Sequence, residues 1–367
     1  MSANNNLILN KSLKLSGKSL LLGLGLGLIL LAIAFDGQAA RFLSSASMFL
    51  PLAICAIVAA ALGYWVVPIL RRLKAGQIIR EDGPAAHLQK AGTPTMGGVF
   101  FVPVAVAIAL ALSKLNPNVI AISSLTLAYA SIGWLDDWQI LRRKSNKGIS
   151  AKTKLGLQIA FAALFCLWLA WSQPAAITNL ALPFGLMLPL GFLFWPLAVF
   201  VLVAESNATN LTDGVDGLMG GLGAIAFFGL GAYLAPTSVE LTIFCACMSG
   251  SCLGFLAHNR NPAKVFMGDT GSLALGGALA GVGLLSNSLW VLFIISGIFF
   301  IEAISVIAQV SYYKATKGPD GIGKRLFKMA PIHHHLELCG WWETQVVGVF
   351  YGINAVLAMF SLAIGNL

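Results

Sequence analysis

The chain has 367 residues, 58% of them hydrophobic and only 10% charged, with a formal net charge of +9. A mean hydropathy of +0.84 excludes an ordinary water-soluble domain. The basic balance, pI near 9.3, does not point to nucleic acid, because the lysines and arginines sit in alternate loops between long apolar runs.

A helix needs about 20 apolar residues to cross a hydrocarbon core of about 30 Å. Runs suited to this lie at 19–36, 47–70, 96–113, 118–134, 155–172, 184–204, 218–235, 239–257, 272–286, 289–312 and 345–364. Their apolarity is continuous rather than alternating, which predicts helices and not barrel strands. If the odd-numbered runs point outward, the inner loops hold nearly all the basic residues and the outer loops keep only Arg41 and Lys114. That asymmetry places the N-terminus in the cytoplasm, the C-terminus outside and the long loops on the cytoplasmic side. Lys11–Lys18, the Leu/Gly run and the small residues near Gly37–Ala40 also fit a cleaved signal peptide, and either choice leaves the later loops on the same side. Five of the six cysteines lie in the apolar runs, without zinc spacing, and read as packing residues.

The polar loops follow in chain order. Gly92–Gly98, just after Lys90, combines glycines and hydroxyls that could cradle phosphate or simply form a turn. Asp136 and Asp137 close the fourth run. Adjacent carboxylates at a helix C-terminus repel each other and the dipole, so they suit a cation site, a general base, or a solvated end paired with Arg142 or Arg143. In Asn207–Leu218, the spacing of Asn210, Asp213 and Asp216 predicts one helical face of amides and carboxylates. Val265–Ser272 sets Asp269 between Gly268 and Gly271 ahead of a helix that Thr270 or Ser272 could cap. The tenth run, about 36 Å long at 1.5 Å per residue, exceeds the bilayer core and is expected to tilt or bend near Gly297. It carries Glu302, an intramembrane carboxylate that is a functional candidate. Last comes a loop with His333, His334 and His335, three of the five histidines. Consecutive histidines point different ways, which favours ligand binding over one shared metal.

As a set, Gly92–Gly98, Asp136–Asp137, Asn207–Leu218, Asn259–Ser272 and Pro331–Trp341 closely resemble the phospho-N-acetylmuramoyl-pentapeptide transferases of bacterial peptidoglycan synthesis, from about Leu50 to the C-terminus. The Pro-Ile-His-His-His-Leu-Glu-Leu stretch separates that family from related transferases of N-acetylhexosamine phosphate.

The resemblance implies an all-α polytopic membrane protein of about ten or eleven transmembrane helices with its active site on the cytoplasmic face of the plasma membrane. Residues 1–46 would be an extension with one extra span, and 47–367 the transferase domain. It further implies Mg²⁺-dependent transfer of phospho-MurNAc-pentapeptide from UDP-MurNAc-pentapeptide to undecaprenyl phosphate, giving lipid I and UMP, among membrane lipids and without nucleic acid. It suggests a homodimer. Carried over by motif, Asp269 is the expected Mg²⁺ ligand, Asp136 engages the lipid phosphate and Asp137 assists. Lys90, Thr95, Asn210, Asp213, Asp216, Asn259, Phe266 and His333–His335 are expected to bind substrate. Three departures stand out: Ile140 and Cys339 occupy positions where the family often has lysine, and run 19–36 has no counterpart in a ten-helix architecture.

The competing readings are a sister hexosamine-phosphate transferase, which would carry a different histidine loop, and a transporter, which would place polar residues deep in several spans.

Overall fold

Each of the eleven apolar runs carries helix in the computed structural model, which describes residues 15–42, 44, 46–73, 90, 92–143, 145 and 147–365. Most of the predicted basic loop 71–95, and Lys11, Lys14 and Lys144, lie outside the described residues. The helices are α1 (Gly17–Gln38), α2 (Phe49–Arg72), α3 (Gly98–Leu112), α4 (Pro117–Arg143), α5 (Ala151–Ser172), α6 (Phe194–Thr212), α7 (Leu218–Leu234), α8 (Val239–Asn259), α9 (Gly268–Leu285), α10 (Leu289–Ile295), α11 (Gly297–Ala315), α12 (Ile332–Leu338) and α13 (Glu343–Gly365). Among the described residues, eight helices are long and apolar enough to cross a membrane, and α3 and α7 are shorter apolar helices.

Local chemistry sets several ends. Ser16, Ser150 and Ser238 cap α1, α5 and α8 by accepting a backbone N–H with their hydroxyls. Arg71, Arg72, Arg142 and Arg143 lie in the last turns of α2 and α4, where cations complement the dipole.

The helices form a buried centre and a lipid-facing shell. In α8, 89% of the span is buried, against 17% in α1 and 22% in α11. Around α8 pack α2, α3 and α7, while α9 packs on α4 and α6. Close approach at this centre depends on small residues, since lipid offers little hydrophobic drive for helix association. At Gly133 on α4, a Cβ would overlap the Asp269 backbone of α9. This contact brings the two helices' acidic residues to the same level.

The structure corrects four expectations. Helix α4 continues to Arg143, so Asp136 and Asp137 lie nearly two turns inside it and do not face its C-terminal dipole. The run predicted at 184–204 starts its α-helix only at Phe194. Residues before it form a hairpin of β1 (Asn179–Ala181) and β2 (Met187–Pro189), because Pro183, Pro189 and positive-φ Phe184, Gly185 and Gly191 prevent helix. Asn210, Asp213 and Asp216 do not share one helical face: Asn210 is in α6, Asp213 is its C-cap and Asp216 lies in the following turn. The histidine segment is a short helix, α12, rather than a loop.

The tenth run breaks as expected. It forms α10 and α11, separated at Ser296, directly before Gly297.

Candidate active site

Two polar clusters gather at one end of the bundle, where α4, α6 and α8 finish and α5, α7, α9 and α13 begin.

The first cluster centres on the start of α9. Gly268 has φ +73°, a conformation natural to glycine, and a Cβ there would press on Asp137 Oδ2 (2.6 Å) and Thr95 Oγ1 (2.8 Å). The backbone of 94–98 is laced to that of 266–267: Phe266 N donates to Pro94 O (2.8 Å), Gly97 N to Phe266 O (2.8 Å) and Gly98 N to Met267 O (3.0 Å). Thr95 and Phe266 are thereby fixed beside the acidic residues.

Asp137, 3% exposed, caps α9 from another helix. Its Oδ2 accepts from Thr270 N (3.0 Å) and Thr270 Oγ1 (2.6 Å), and its Oδ1 from Asp269 N (3.3 Å). Two of the orphan amides at this helix start are thus satisfied by Asp137, while Thr270 and Ser272 donate their hydroxyls instead of capping. Asp136 accepts from Ile149 N (2.9 Å). Asp269 keeps a side-chain exposure of 24% and is paired with Lys154 Nζ on one oxygen. Asn210 Nδ2 holds its other oxygen at 2.8 Å, and Asn210 Oδ1 accepts from Lys154 at 3.3 Å.

The second cluster surrounds Lys90. Its ammonium bridges Asp216 Oδ1 (2.7 Å) and Glu343 Oε1 (2.6 Å). Burial alone would lower the Lys90 pKa, but the Glu343 and Asp216 carboxylates more than reverse this and hold it above its ordinary value. Asn261 Nδ2 donates to Glu343 Oε2 (2.9 Å) and Asp216 Oδ2 (3.3 Å), and Ala263 N to the same Asp216 oxygen (2.9 Å). Asn259 braces this side, accepting from Gly217 N (3.0 Å) and donating to Val265 O (2.9 Å).

Asp213 feels the charges of both clusters, those of Asp269 and Asp137 most and that of Asp216 least. Burial, then the charges of Asp269 and Asp137, push its carboxyl up to about 8.

The three histidines diverge as the sequence predicts. His333 and Glu302 are both fully buried, with His333 Nδ1 3.0 Å from Glu302 Oε2. His334 Nδ1 lies 2.8 Å from Glu337 Oε2, and His335 Nδ1 accepts from Lys328 N at 3.1 Å.

The structure thus brings Asp136, Asp137, Asp269, Asn210 and Thr95 into one cluster, and Lys90 and Asp216 into the other. Sequence reasoning missed Lys154, Glu343 and Asn261 as site residues. Lys154 had a usable signal: a lysine in the first turns of a helix opposes the dipole unless a carboxylate awaits it. Arg142 and Arg143, the expected basic partners, are exposed at the end of α4, and Arg143 donates to Gly148 O. Lys154 is the cation that reaches the carboxylates. Glu343 reads in sequence as an ordinary first-turn acid, and nothing local marks its partner Lys90, 253 positions away.

The sequence is also similar to known proteins along its length. The profile of glycosyl transferase family 4 matches residues 119–287. Phospho-N-acetylmuramoyl-pentapeptide-transferase signature 1 matches residues 90–102, the stretch holding Lys90 and Thr95. Curated phospho-N-acetylmuramoyl-pentapeptide-transferases are similar over nearly the whole chain. That of Nostoc punctiforme is 66% identical over 96% of this chain and 98% of its own. That of a Nostoc species is 67% identical over 97% of both, and that of Gloeothece citriformis 67% identical over 95% of this chain and 96% of its own. A multi-helix membrane protein with this paired acidic and basic site, and with relatives this similar end to end, belongs to the phospho-N-acetylmuramoyl-pentapeptide-transferase family.

Proposed function

We propose that the chain transfers phospho-MurNAc-pentapeptide from UDP-MurNAc-pentapeptide to undecaprenyl phosphate, yielding lipid I and UMP for peptidoglycan synthesis, at the cytoplasmic face of the plasma membrane. The observation that carries this reading is the convergence of Asp136, Asp137 and Asp269 with Lys154 and Asn210 at the basic end of the bundle. Such a site meets both solubility demands: the nucleotide and peptide stay in water, and the polyprenyl chain stays in lipid. The outward face of α11 offers that chain apolar side chains at Ile301, Ile304, Ile307 and Val310.

The reaction exchanges one phosphoanhydride for another. An oxygen of the acceptor phosphate bonds to the phosphorus that carries the sugar, the bond from that phosphorus to the UMP oxygen breaks, and UMP leaves with the electron pair. In this reading Asp136 faces the acceptor phosphate and takes any proton it still carries, few of which remain at neutral pH because a phosphate monoester loses its second proton near pH ~6. Lys154, drawn from Asp269, and Lys90 supply positive charge to the diphosphate. Asp137 positions Asp269 through the α9 backbone. His333, locked by Glu302, holds α12 so that its neighbours approach the nucleotide sugar.

Mg²⁺ dependence and a homodimer belong to the same reading. The donor set is all oxygen, carboxylates and an amide, which suits a hard cation. Among the described residues no three His, Cys, Asp or Glu side chains are arranged to hold a metal by themselves. Water and the diphosphate would therefore complete a site founded on Asp269 with Asp136 beside it, a typical arrangement for Mg²⁺. The ion would neutralise and orient the diphosphate.

The test is release of UMP from UDP-MurNAc-pentapeptide by purified protein. Release should require undecaprenyl phosphate, fail with undecaprenol and fail with UDP-N-acetylglucosamine as donor. Equal turnover of UDP-N-acetylglucosamine would favour the sister activity. Size measurement in mild detergent checks the dimer.

A further inference from the structure

Helix α1 is the part of the chain that the family's motifs leave unexplained, and the structure fastens it at both ends. Near its C-terminus, Asp36 is 1% exposed and accepts from Ser47 Oγ (2.5 Å), Met48 N (2.9 Å) and Phe49 N (3.0 Å), capping α2. At its N-terminus, Gly17 is buried against the backbone of Asn261. A Cβ there would overlap the Asn261 carbonyl oxygen and come within 2.7 Å of its nitrogen. Leu20 and Gly17 line a small cavity together with Asp216, Arg260, Asn261 and Tyr351. Between these ends much of the helix faces outward: Leu22, Leu26 and Leu30 are exposed, and Cβ atoms at Gly23, Gly25 and Gly27 would meet nothing within 4 Å.

A helix that served only to anchor the chain would not need a backbone-to-backbone contact at its first residue. The residue it touches, Asn261, holds both Asp216 and Glu343 through one amide, and these two hold Lys90.

We propose that α1 is a positioning element for the nucleotide-sugar side of the active site, with Gly17 as the contact that sets Asn261 and, through it, the Lys90–Asp216–Glu343 cluster. This rests on the reading under Proposed function that Lys90 supplies charge to the diphosphate of the UDP-linked donor. Displacing Asn261 perturbs donor binding and leaves the cluster around Asp269, and hence acceptor use, in place.

The test is steady-state kinetics of the full-length protein with each substrate varied in turn. Gly17→Ala and Gly17→Val should raise KM for UDP-MurNAc-pentapeptide in increasing order, reaching roughly tenfold in Val, the scale of one displaced charge-assisted hydrogen bond. KM for undecaprenyl phosphate should stay at the wild-type value. Gly25→Val, on the open face of the same helix, should match wild type in both. Asn261→Ala should reproduce the donor-side effect, and the Gly17→Ala, Asn261→Ala double variant should be less than additive, because the two act through one contact. Should Gly17→Val not fold, the Ala variant and the double-variant cycle carry the test. Equal donor KM in the Gly17 and Gly25 variants, a parallel rise in both KM values, or full additivity with Asn261→Ala would each overturn the inference. Wild-type UMP release tests the functional reading, and the variant-to-wild-type ratios test this one, so the two failures are told apart.

Discussion

Asp137 and Asp269 are both carboxylates of one cluster, yet the structure gives them different work, and conservative substitution should separate them. In Asp137→Asn the side chain keeps one acceptor oxygen, enough to serve Thr270 N and Thr270 Oγ1, which share Oδ2. It loses the charge behind those two bonds and turns an NH₂ toward Asp269 N, which Oδ1 had accepted at 3.3 Å. Hydrogen bonds to charged groups contribute about 1.5–3 kcal/mol against about 1 for neutral ones, and an unsatisfied buried donor costs about 1–3 kcal/mol. Burial of the charge offsets the charged-bond difference, so the unsatisfied donor sets a loss of about 1–3 kcal/mol at a site 3% exposed. Asp269→Asn removes the charge of a side chain 24% exposed, and its Lys154 partner keeps Asn210 Oδ1. A part-exposed pair of this kind contributes about 0–1 kcal/mol. The assay is a thermal-unfolding midpoint in detergent beside UMP release. Asp137→Asn should lower the midpoint clearly and activity with it. Asp269→Asn should leave the midpoint near wild type and cut turnover by roughly 10²–10³, the scale of one lost electrostatic contact to the transition state. An Asp137→Asn protein as stable as wild type would refute the capping role, and near-normal turnover in Asp269→Asn would remove Asp269 from the chemistry.

Chelation should stop the wild-type reaction and Mg²⁺ should restore it; undiminished turnover in excess chelator would sink the metal reading. Asp213, held near 8 when folded against about 3.9 for an unfolded aspartate, keeps a proton in the folded protein that the unfolded chain has released. Its contribution to stability therefore falls as pH rises from about 4 to about 8. In the absence of added metal, the unfolding midpoint of Asp213→Asn should decline less than that of wild type from pH 5 to pH 9, and parallel profiles would discount the shift. Glu302→Gln should preserve the bond to His333 Nδ1 better than Glu302→Ala, so donor KM should rank wild type, Gln, Ala. Equal values in Gln and Ala would show that the buried pair does not set α12.

The span pattern was legible because lipid imposes one rule, long uninterrupted apolarity, that needs no knowledge of partners. Length predicted that the tenth run tilts or bends, and Gly297 marked where a bend would fall. The start of α6 was not legible in the same way: 184–193 is as apolar as a helix, and Pro183, Pro189 and the left-handed backbone at Phe184, Gly185 and Gly191 divert it into a hairpin. The acidic residues of the site were visible as types at loop edges, yet their roles were not, because a role depends on what lies opposite. Asp136 and Asp137 are neighbours in sequence but face different partners: one accepts from Ile149 at the edge of α5, the other from the α9 backbone 132 and 133 positions away. The cations were harder still. Lys90 stood out beside the Gly92–Gly98 motif, but Lys154 looked like one of many inner-loop charges, and its partner became visible only in its burial against Asp269. Charge count carries the proposed membrane orientation; which of those charges leave the solvent is decided by packing. The same logic makes α1 informative: its sequence is low-complexity Leu/Gly, and the one glycine with a function is identified by the backbone it touches.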